Sequence, residues 1–408
     1  MKRIICLLLV FVMLTSLCAC GKSQKKLFSD YKKKINEIMA DSPVAKGLGL
    51  LVDEDVASDK IKKIEPASVK PDGITTLCYE TLSKDQKRIY TYFLAASRSM
   101  PEGWIDCGKE TDDTQMDVAA AYRAMLCDNP QCFWMPITYF IAVNDKKLIV
   151  AFKLDDGEIE NDYAVSRSAR DRMSAELDEA VNSVVAEASV YSDDFDRELF
   201  VHDYICGNSS YDLNGGKMIY SSYGALVDRV CVCEGYSKAM QLIMQKLGIK
   251  CGLIYGEYNK TGHMWNYINI GGEWYHLDIT WDKSDKYGAL HSYFNLTDSE
   301  VLESHVISAD FDHQTGVLDG ENFNILSFDC SSEEYNYFTH TGKILTDDIS
   351  GDAKIILSSY YEGKNFCECR NRITGDESEL LNNVASRLYP TVSLKSYSKF
   401  SDFIIVIF

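Results

Sequence analysis

The sequence predicts an α+β fold in which a cysteine-bearing helix packs on an antiparallel sheet, flanked by smaller α+β units. One observation is a helical stripe of apolar residues that starts at Cys233 and ends before Gly248. Another is a pair of alternating apolar runs joined by Gly271-Gly272, which predicts a β-hairpin. At 408 residues, the chain is expected to contain two or three domains.

The first residues form a predicted export signal. Lys2 and Arg3 precede an apolar run from Ile4 to Leu14, which is too short to span a membrane. The following Leu17-Cys18-Ala19-Cys20 resembles a bacterial lipobox, which implies removal of residues 1–19 and lipidation of Cys20. Acyl chains on Cys20 would anchor the protein outside the cytoplasm on the cell membrane. The alternative is an ordinary secretory signal cleaved near Ala19.

Composition describes an exported globular protein. A hydrophobic fraction of 46% is enough to fill cores. The net charge of −19 becomes −21 when Lys2 and Arg3 leave with the signal. Nucleic-acid binders carry basic faces, so nucleic acid is excluded as a partner.

The chain divides into five predicted segments. They are a signal peptide (1–19), a lipid-anchored tether (20–75), an N-terminal α+β domain (76–165), a central domain (166–315) and a C-terminal α+β domain (316–408). The predicted helices are Leu27–Met39, a helix capped by Ser83 and Gln86 that runs to Met100, Thr114–Cys127, Ser168–Ala188, Asp194–Cys206 and Glu377–Leu388. The predicted strands outside the hairpin are Ile137–Val143, Leu148–Leu154, Lys354–Ser358, Thr391–Lys395 and Phe403–Phe408.

The 14 cysteines leave the disulfide pattern open. Cys6, Cys18 and Cys20 belong to the signal and lipobox, and removing Cys233 as a free thiol leaves ten. An even number is compatible with disulfides in an exported protein, although free thiols are equally compatible. Cys127 and Cys132 could pair across a turn, whereas Cys367 and Cys369 are expected to point to opposite faces of a strand. Cys231-x-Cys233 has no second Cys or His pair at zinc spacing, so no metal or cofactor is predicted.

Cys233 is predicted to lie in the first turn of its helix. The free N–H groups and the helix dipole there favour an anion, and thiols in such positions are often reactive thiolates. Gly235 adds little bulk beside the sulfur, so we expect a substrate backbone to come close. Gly248 provides the usual helix stop.

The hairpin register follows from counting outward from Gly271-Gly272. Ile270 faces Glu273, and Trp265 faces Asp278 at the far end. His263 and Asp278 are then diagonal neighbours on one face, roughly 7–8 Å apart at the backbone. The other face is predicted to be the core face; it carries Met264, Ile268, Ile270, Tyr275, Leu277 and Ile279.

These motifs resemble the bacterial transglutaminase-like superfamily, whose members share a papain-like Cys-His-Asp arrangement. The matching pieces are Val-Cys-Glu-Gly-Tyr at 232–236, Gly-His-Met-Trp-Asn at 262–266 and Trp-Tyr-His-Leu-Asp-Ile-Thr-Trp-Asp at 274–282. The segment 223–226 also looks like this bacterial branch. The run Asn-Pro-Gln-Cys-Phe-Trp at 129–134 resembles a segment found in clostridial-type transglutaminase-like surface lipoproteins.

The resemblance implies roles for individual residues. Cys233 would be the nucleophile, His263 the base and Asp278 the residue that orients it, while His276 would be structural. The Cys233 N–H would stabilise the oxyanion, and Tyr223 is a candidate for a second donor.

The implied activity is attack of the thiolate on peptide or protein amides at the cell surface, through a thioester. The thioester would be resolved by water, as in a peptidase or amidase, or by an amine, as in a transglutaminase. The alternatives are a catalytically idle fold that serves as a surface binding module and a purely structural surface protein.

Overall fold

The computed structural model describes residues 48–51, 56–136, 138–152, 163–258, 261–307, 325–400 and 402–408. The predicted signal peptide, Cys20 and the predicted helix at Leu27–Met39 lie outside these residues. Across the described ranges, every helix is too short or too polar to cross a membrane.

The N-terminal unit is a five-stranded sheet covered by helices. Its elements are β1 (Leu48–Leu51), β2 (Ile61–Lys63), α1 (Leu77–Thr81), α2 (Lys84–Ser99), β3 (Trp104–Lys109), α3 (Thr114–Asp128), β4 (Thr138–Asn144) and β5 (Lys147–Ala151). The sheet order is β1-β4-β5-β3-β2, with parallel pairs at both edges. Ser83 and Gln86 form the predicted capping box of α2.

Two strands of this sheet come from the segment that the sequence analysis placed in the tether. β1 pairs with β4 and β2 pairs with β3, so this part of 20–75 belongs to the N-terminal unit. The strands have four and three residues, which is too short for a periodic pattern. In β2, Ile61 is half-buried and Lys62 and Lys63 are exposed, so the sequence of this strand resembles that of a solvent-exposed linker.

The central unit contains the elements that carry the predicted site. They are α4 (Arg167–Ala188), α5 (Asp194–Asn208), β6 (Ser210–Tyr211), β7 (Val230–Cys231), α6 (Cys233–Leu247), β8 (Cys251–Tyr258), β9 (Thr261–Ile270), β10 (Glu273–Leu277), α7 (Ile279–Asp282), β11 (Lys283–Ser284), β12 (Gly288–Ala289), α8 (Asp298–Val301) and β13 (His305–Ile307). The main sheet has the antiparallel order β10-β9-β8-β13, and α6 packs against it. Helix α6 has the predicted bounds, and Gly248 ends it in the left-handed conformation at φ +80°.

The C-terminal unit is a second small α+β layer. Its elements are α9 (Tyr337–Thr341), β14 (Ile344–Leu345), α10 (Ile349–Tyr361), β15 (Phe366–Asn371), α11 (Glu377–Leu388), β16 (Ser396–Phe400) and β17 (Phe403–Ile407), with the sheet order β14-β15-β17-β16. The predicted strand Lys354–Ser358 is wrong, because these residues lie inside α10. A short apolar run does not distinguish a strand from a helix, and the buried residues Ala353, Ile356 and Ser359 recur every third position. The strand predicted at Thr391–Lys395 begins instead at Ser396.

The N-terminal and central units share one hydrophobic core, which also includes Tyr337 and Phe338 of α9, whereas the rest of the C-terminal unit has its own. Gln241 of α6 crosses the boundary between the first two units. Its amide donates hydrogen bonds to the carbonyl of Cys127 on α3 at 2.8 Å and to the carbonyl of Cys251 on β8 at 3.2 Å. The N-terminal unit therefore supports the back of the helix that carries Cys233.

All eleven described cysteines are buried and free. Cys127 contacts the Tyr255 hydroxyl at 3.6 Å and forms no disulfide with Cys132. The expectation that Cys367 and Cys369 point to opposite faces is wrong, because their sulfur atoms lie 3.3 Å apart. Residues two apart on a strand share a face.

Candidate active site

Helix α6 places the Cys233 thiol at its N-terminus. Val232 precedes it in an extended conformation and its N–H donates to the Ile219 carbonyl at 3.0 Å. Within the described chain no side chain caps this helix, so its first-turn N–H groups can receive an anion. The thiol is almost buried, with 7% of Cys233 exposed.

Gly235 has a packing role beside the one predicted. A Cβ atom at this position would lie 2.5 Å from the Cys231 Cβ and 2.6 Å from the Ile219 carbonyl oxygen. The absence of a side chain therefore lets α6 approach the preceding chain. Gly235 thereby positions the start of the helix.

The hairpin has the predicted register from Ile270 opposite Glu273 to Leu277 opposite Asn266. The predicted core face of the hairpin includes Ile279, but the second strand ends at Leu277, because Asp278 caps the short helix α7. Its Oδ1 accepts the N–H of Thr280 at 2.9 Å and that of Trp281 at 3.4 Å. An aspartate at this position commonly begins a helix. Both faces of the hairpin are buried, not the predicted core face alone.

His263 links Cys233 to Asp278. Its Nε2 donates to Asp278 Oδ2 at 2.6 Å, which leaves Nδ1 for the Cys233 sulfur. Burial alone would lower the pKa of His263, but the Asp278 carboxylate and then Cys233 raise it to about 10. Burial would raise the pKa of Asp278, yet His263 and His305 hold it well below its usual range. The Asp278 carboxylate therefore favours the imidazolium form of His263.

His276 is directed to other partners. Its Nε2 donates to Asp298 Oδ1 at 2.8 Å, and its Nδ1 accepts the indole N–H of Trp265 at 3.0 Å. Burial is the largest influence on His276 and lowers its pKa. The geometry thus brings His263, and not His276, to Asp278, as the sequence analysis expected.

The sequence analysis missed His305. This residue begins β13, which pairs with β8, and its Nε2 donates to Asp278 Oδ2 at 3.0 Å. The Ser304 hydroxyl lies 2.8 Å from its Nδ1. No tight turn connects β8 to the three-residue β13, so the sequence offered no register from which His305 could be placed.

The geometry does not support Tyr223 as an oxyanion donor. Its hydroxyl donates to Glu176 Oε2 at 2.6 Å, and its ring packs against Phe133 at a centroid distance of 5.2 Å. Two other tyrosines interact with the charge at Cys233. Burial and then this charge raise the pKa of Tyr211 to about 12, and the same two causes raise the pKa of Tyr220.

Four aromatic residues lie near Cys233, Asp278 and His305. We call Tyr211, Tyr220, Tyr258 and Trp281 the aromatic rim. Trp281 is 39% exposed, and its ring centroid lies 4.0 Å from that of Tyr258. Its backbone N–H points to Asp278 Oδ1, so the rim is tied directly to the carboxylate. The rim offers apolar and hydroxyl-bearing surface to a substrate.

Potential metal ligands meet in three groups of the described residues. The groups are His263 with Asp278 and His305, His276 with Asp298 and Cys330, and His202 with Asp203 and His291. Hydrogen bonds account for their close approach: in the third group, Asp203 Oδ1 lies 3.0 Å from His202 Nδ1 and 2.8 Å from His291 Nε2. In the second, Nδ1 of His276 faces the Trp265 N–H donor, so its proton sits on Nε2, where a metal would have to bind.

Residues 182–279 match the sequence profile of the Transglutaminase-like superfamily. A solved structure of a candidate cysteine protease from Cytophaga hutchinsonii aligns at 19% identity over 28% of this chain, with a TM-score of 0.24. A structure of a TGase aligns at 12% identity over 37% of this chain, with a TM-score of 0.26. This chain spans 40% of the first protein and 45% of the second. No curated protein matches the chain.

The matched residues include the helix that starts at Cys233 and the hairpin that joins His263 to Asp278. Helix α6 on an antiparallel sheet is the predicted α+β, papain-like arrangement. Residues 182–279, which hold Cys233, His263 and Asp278, are thus similar in sequence to the transglutaminase-like superfamily.

Proposed function

We propose that this protein is a thiol hydrolase or acyltransferase that acts on peptide or protein amides through a thioester on Cys233. The observation that carries the proposal is the placement of His263 between the Cys233 sulfur and the Asp278 carboxylate. A nucleophile, a base and a group that orients the base within hydrogen-bonding reach form the arrangement required for covalent acyl transfer.

The first step is attack on the amide carbonyl. His263 holds the proton of the thiol as an imidazolium, and the Cys233 thiolate adds to the carbonyl carbon. The resulting oxyanion would be stabilised by the first-turn N–H groups of α6, with the hydroxyls of Tyr211 and Tyr220 as candidate additional donors. His263 then protonates the departing amine, and the acyl group remains as a thioester on Cys233.

The second step decides the reaction class. Water that attacks the thioester gives hydrolysis, and a lysine-type amine gives transamidation; both return the proton to His263. We favour hydrolysis, because a site at the cell surface is open to water. The proposed location, through lipidated Cys20, predicts that a Cys20→Ala chain leaves the membrane fraction or stays unprocessed.

Two experiments test the proposal on the mature chain. First, a thiol-reactive probe should label Cys233, and labelling should be lost in Cys233→Ala but kept in the matched variant Cys231→Ala. Cys231 is buried two residues away, and burial raises the pKa of its thiol. Second, mass spectrometry of a peptide pool containing glutamine and lysine should show cleaved, deamidated or cross-linked products.

The second experiment also separates the alternatives. Products that need Cys233 establish an enzyme. A folded chain that binds peptides from the pool but leaves them unmodified at every enzyme concentration would point to the binding module instead. Preferential labelling of Cys231 would contradict the assignment of the nucleophile.

A further inference from the structure

We propose that His305 is a positioning residue of the site, which holds the Asp278 carboxylate in the orientation that His263 requires. The inference rests on the proposed function, since it assigns a fourth residue to the same site. It concerns a side chain that does not face the thiol and that no sequence motif marks.

The Asp278 carboxylate is held on both oxygen atoms. Its Oδ1 accepts two backbone N–H groups, those of Thr280 and Trp281. Its Oδ2 accepts Nε2 of His263 at 2.6 Å and Nε2 of His305 at 3.0 Å. A carboxylate has about four acceptor positions, so these donors saturate it and prevent its rotation. The other three bonds come from His263 and from the backbone at the start of α7, so His305 provides the fourth from a separate part of the fold.

His305 is itself fixed in the form that can donate. Because Asp278 Oδ2 accepts from Nε2, a proton sits on that nitrogen, while Nδ1 lies 2.8 Å from the Ser304 hydroxyl. The ring is buried and enclosed by the rings of Trp265, Tyr258 and Tyr293, with centroid distances of 5.0, 5.3 and 5.6 Å. The His263 ring lies 5.4 Å away.

The close approach of β13 that places His305 depends on a glycine. A Cβ atom at Gly256 on β8 would lie 2.2 Å from the Val306 carbonyl oxygen and 2.4 Å from the Trp265 ring. Only a residue without a side chain lets β13 lie this close to β8 while Trp265 occupies the same face. Backbone and side-chain packing therefore both serve the position of His305.

Loss of the His305 donor should weaken the ion pair without removing any of its members. Asp278 would keep its charge but lose one of its two side-chain partners, and its carboxylate could turn away from His263. One hydrogen bond to a charged group corresponds to roughly 10- to 100-fold in rate. We expect loss of the His305 donor to lower kcat by this factor. KM should change by less than about threefold, because His305 does not face the substrate.

The test compares His305→Phe, His305→Gln and Ser304→Ala in the full mature chain. His305→Gln keeps an N–H donor near the position of Nε2, and Ser304→Ala removes the group that orients the ring. The matched control is His340→Gln, a histidine on the exposed surface of α9. The first readout is the rate of Cys233 alkylation against pH, which needs no substrate; the second is kcat and KM on the peptide identified above.

His305→Phe should slow alkylation at neutral pH and lower kcat, His305→Gln should restore most of both, and Ser304→Ala should lie between them. An unchanged alkylation profile in a folded His305→Phe chain would overturn the inference. If His305→Phe does not fold, the folded His305→Gln and Ser304→Ala chains decide instead. The alkylation of Cys233 is expected to be slowed more in Ser304→Ala than in His305→Gln. An alkylation difference without any amide turnover would support the positioning role and contradict the proposed function.

Discussion

Two histidines on the same face of one hairpin are each paired with a carboxylate, yet their pKa values are shifted in opposite directions. The pKa of His263 is raised to about 10, whereas that of His276 is lowered. Both are buried and both donate Nε2 to an aspartate. The difference lies at the other ring nitrogen: Nδ1 of His263 is left for the Cys233 sulfur, while Nδ1 of His276 faces the Trp265 indole N–H.

A second proton on His276 would have to point at another donor, which a buried site does not tolerate. The carboxylates reinforce this contrast. Asp278 is buried, whereas the side chain of Asp298 is 36% exposed and attracts a cation less strongly. The partner of the second ring nitrogen, Nδ1, thus decides whether the histidine is an imidazolium or a neutral structural residue.

The largest expected effect comes from exchanging each histidine for glutamine. His263→Gln should lower kcat/KM by about a thousandfold or more, because no imidazole remains to take the thiol proton. His276→Gln should keep activity within about tenfold and mainly lower the free energy of unfolding. Turnover on a peptide substrate and denaturant unfolding measure both quantities. A folded His276→Gln chain with the greater loss of turnover would reverse the assignment.

The next effect is the alkaline limit of activity. The thiolate–imidazolium pair exists only below the pKa of His263, so kcat/KM should fall as pH rises through about 10. A rate profile from neutral to strongly alkaline pH checks this, with circular dichroism as a control for unfolding. Loss of activity centred near the ordinary histidine pKa of about 6.5 would show that Asp278 does not raise the pKa of His263.

Trp265→Phe should raise the pKa of His276, which is the direction of the shift at His263. Removing the indole N–H frees Nδ1 of His276 for a proton, so its pKa should rise. Because the folded pKa of His276 is below its unfolded value, the stability it contributes is present above about pH 6.5 and is lost as pH falls. The variant should show a smaller loss of stability on acidification than the parent chain. Histidine ring NMR and urea unfolding across this range measure the change; an unaltered His276 titration would refute the explanation.

The smallest effect concerns the open end of the hairpin. Trp281 lies beside Asp278 on the exposed aromatic rim, whereas the Asp298 end is not lined by this rim. Trp281→Ala should raise KM by roughly three- to tenfold with little change in kcat, because it removes binding surface and leaves the ion pair intact. Steady-state kinetics would test it, with Leu302→Ala at another exposed apolar residue as the control. An equal rise in KM for both variants would remove the rim from the site.

The parts of the site that were predicted from sequence are those with local signals. The two-residue glycine turn sets the register that brings His263 to Asp278. The stripe of apolar residues that ends before Gly248 places Cys233 at the start of a helix. His305 has no such signal, because a three-residue strand carries no period and its pairing with β8 is decided by packing. The start of α7 at Asp278 was hidden by the apolar pattern that continues through Ile279. Residues 354–358 satisfied strand and helix patterns equally, and tertiary burial selected the helix.

The bridge that Gln241 makes to Cys127 and Cys251 limits how the chain can be divided. A fragment that begins at residue 166 would retain the complete triad but would lose helix α3 and the carbonyl that Gln241 reaches. The apolar back of α6 would then face water, and such a surface promotes aggregation. We therefore expect a fragment limited to residues 182–279 to aggregate, and expression for any assay should begin upstream of β1.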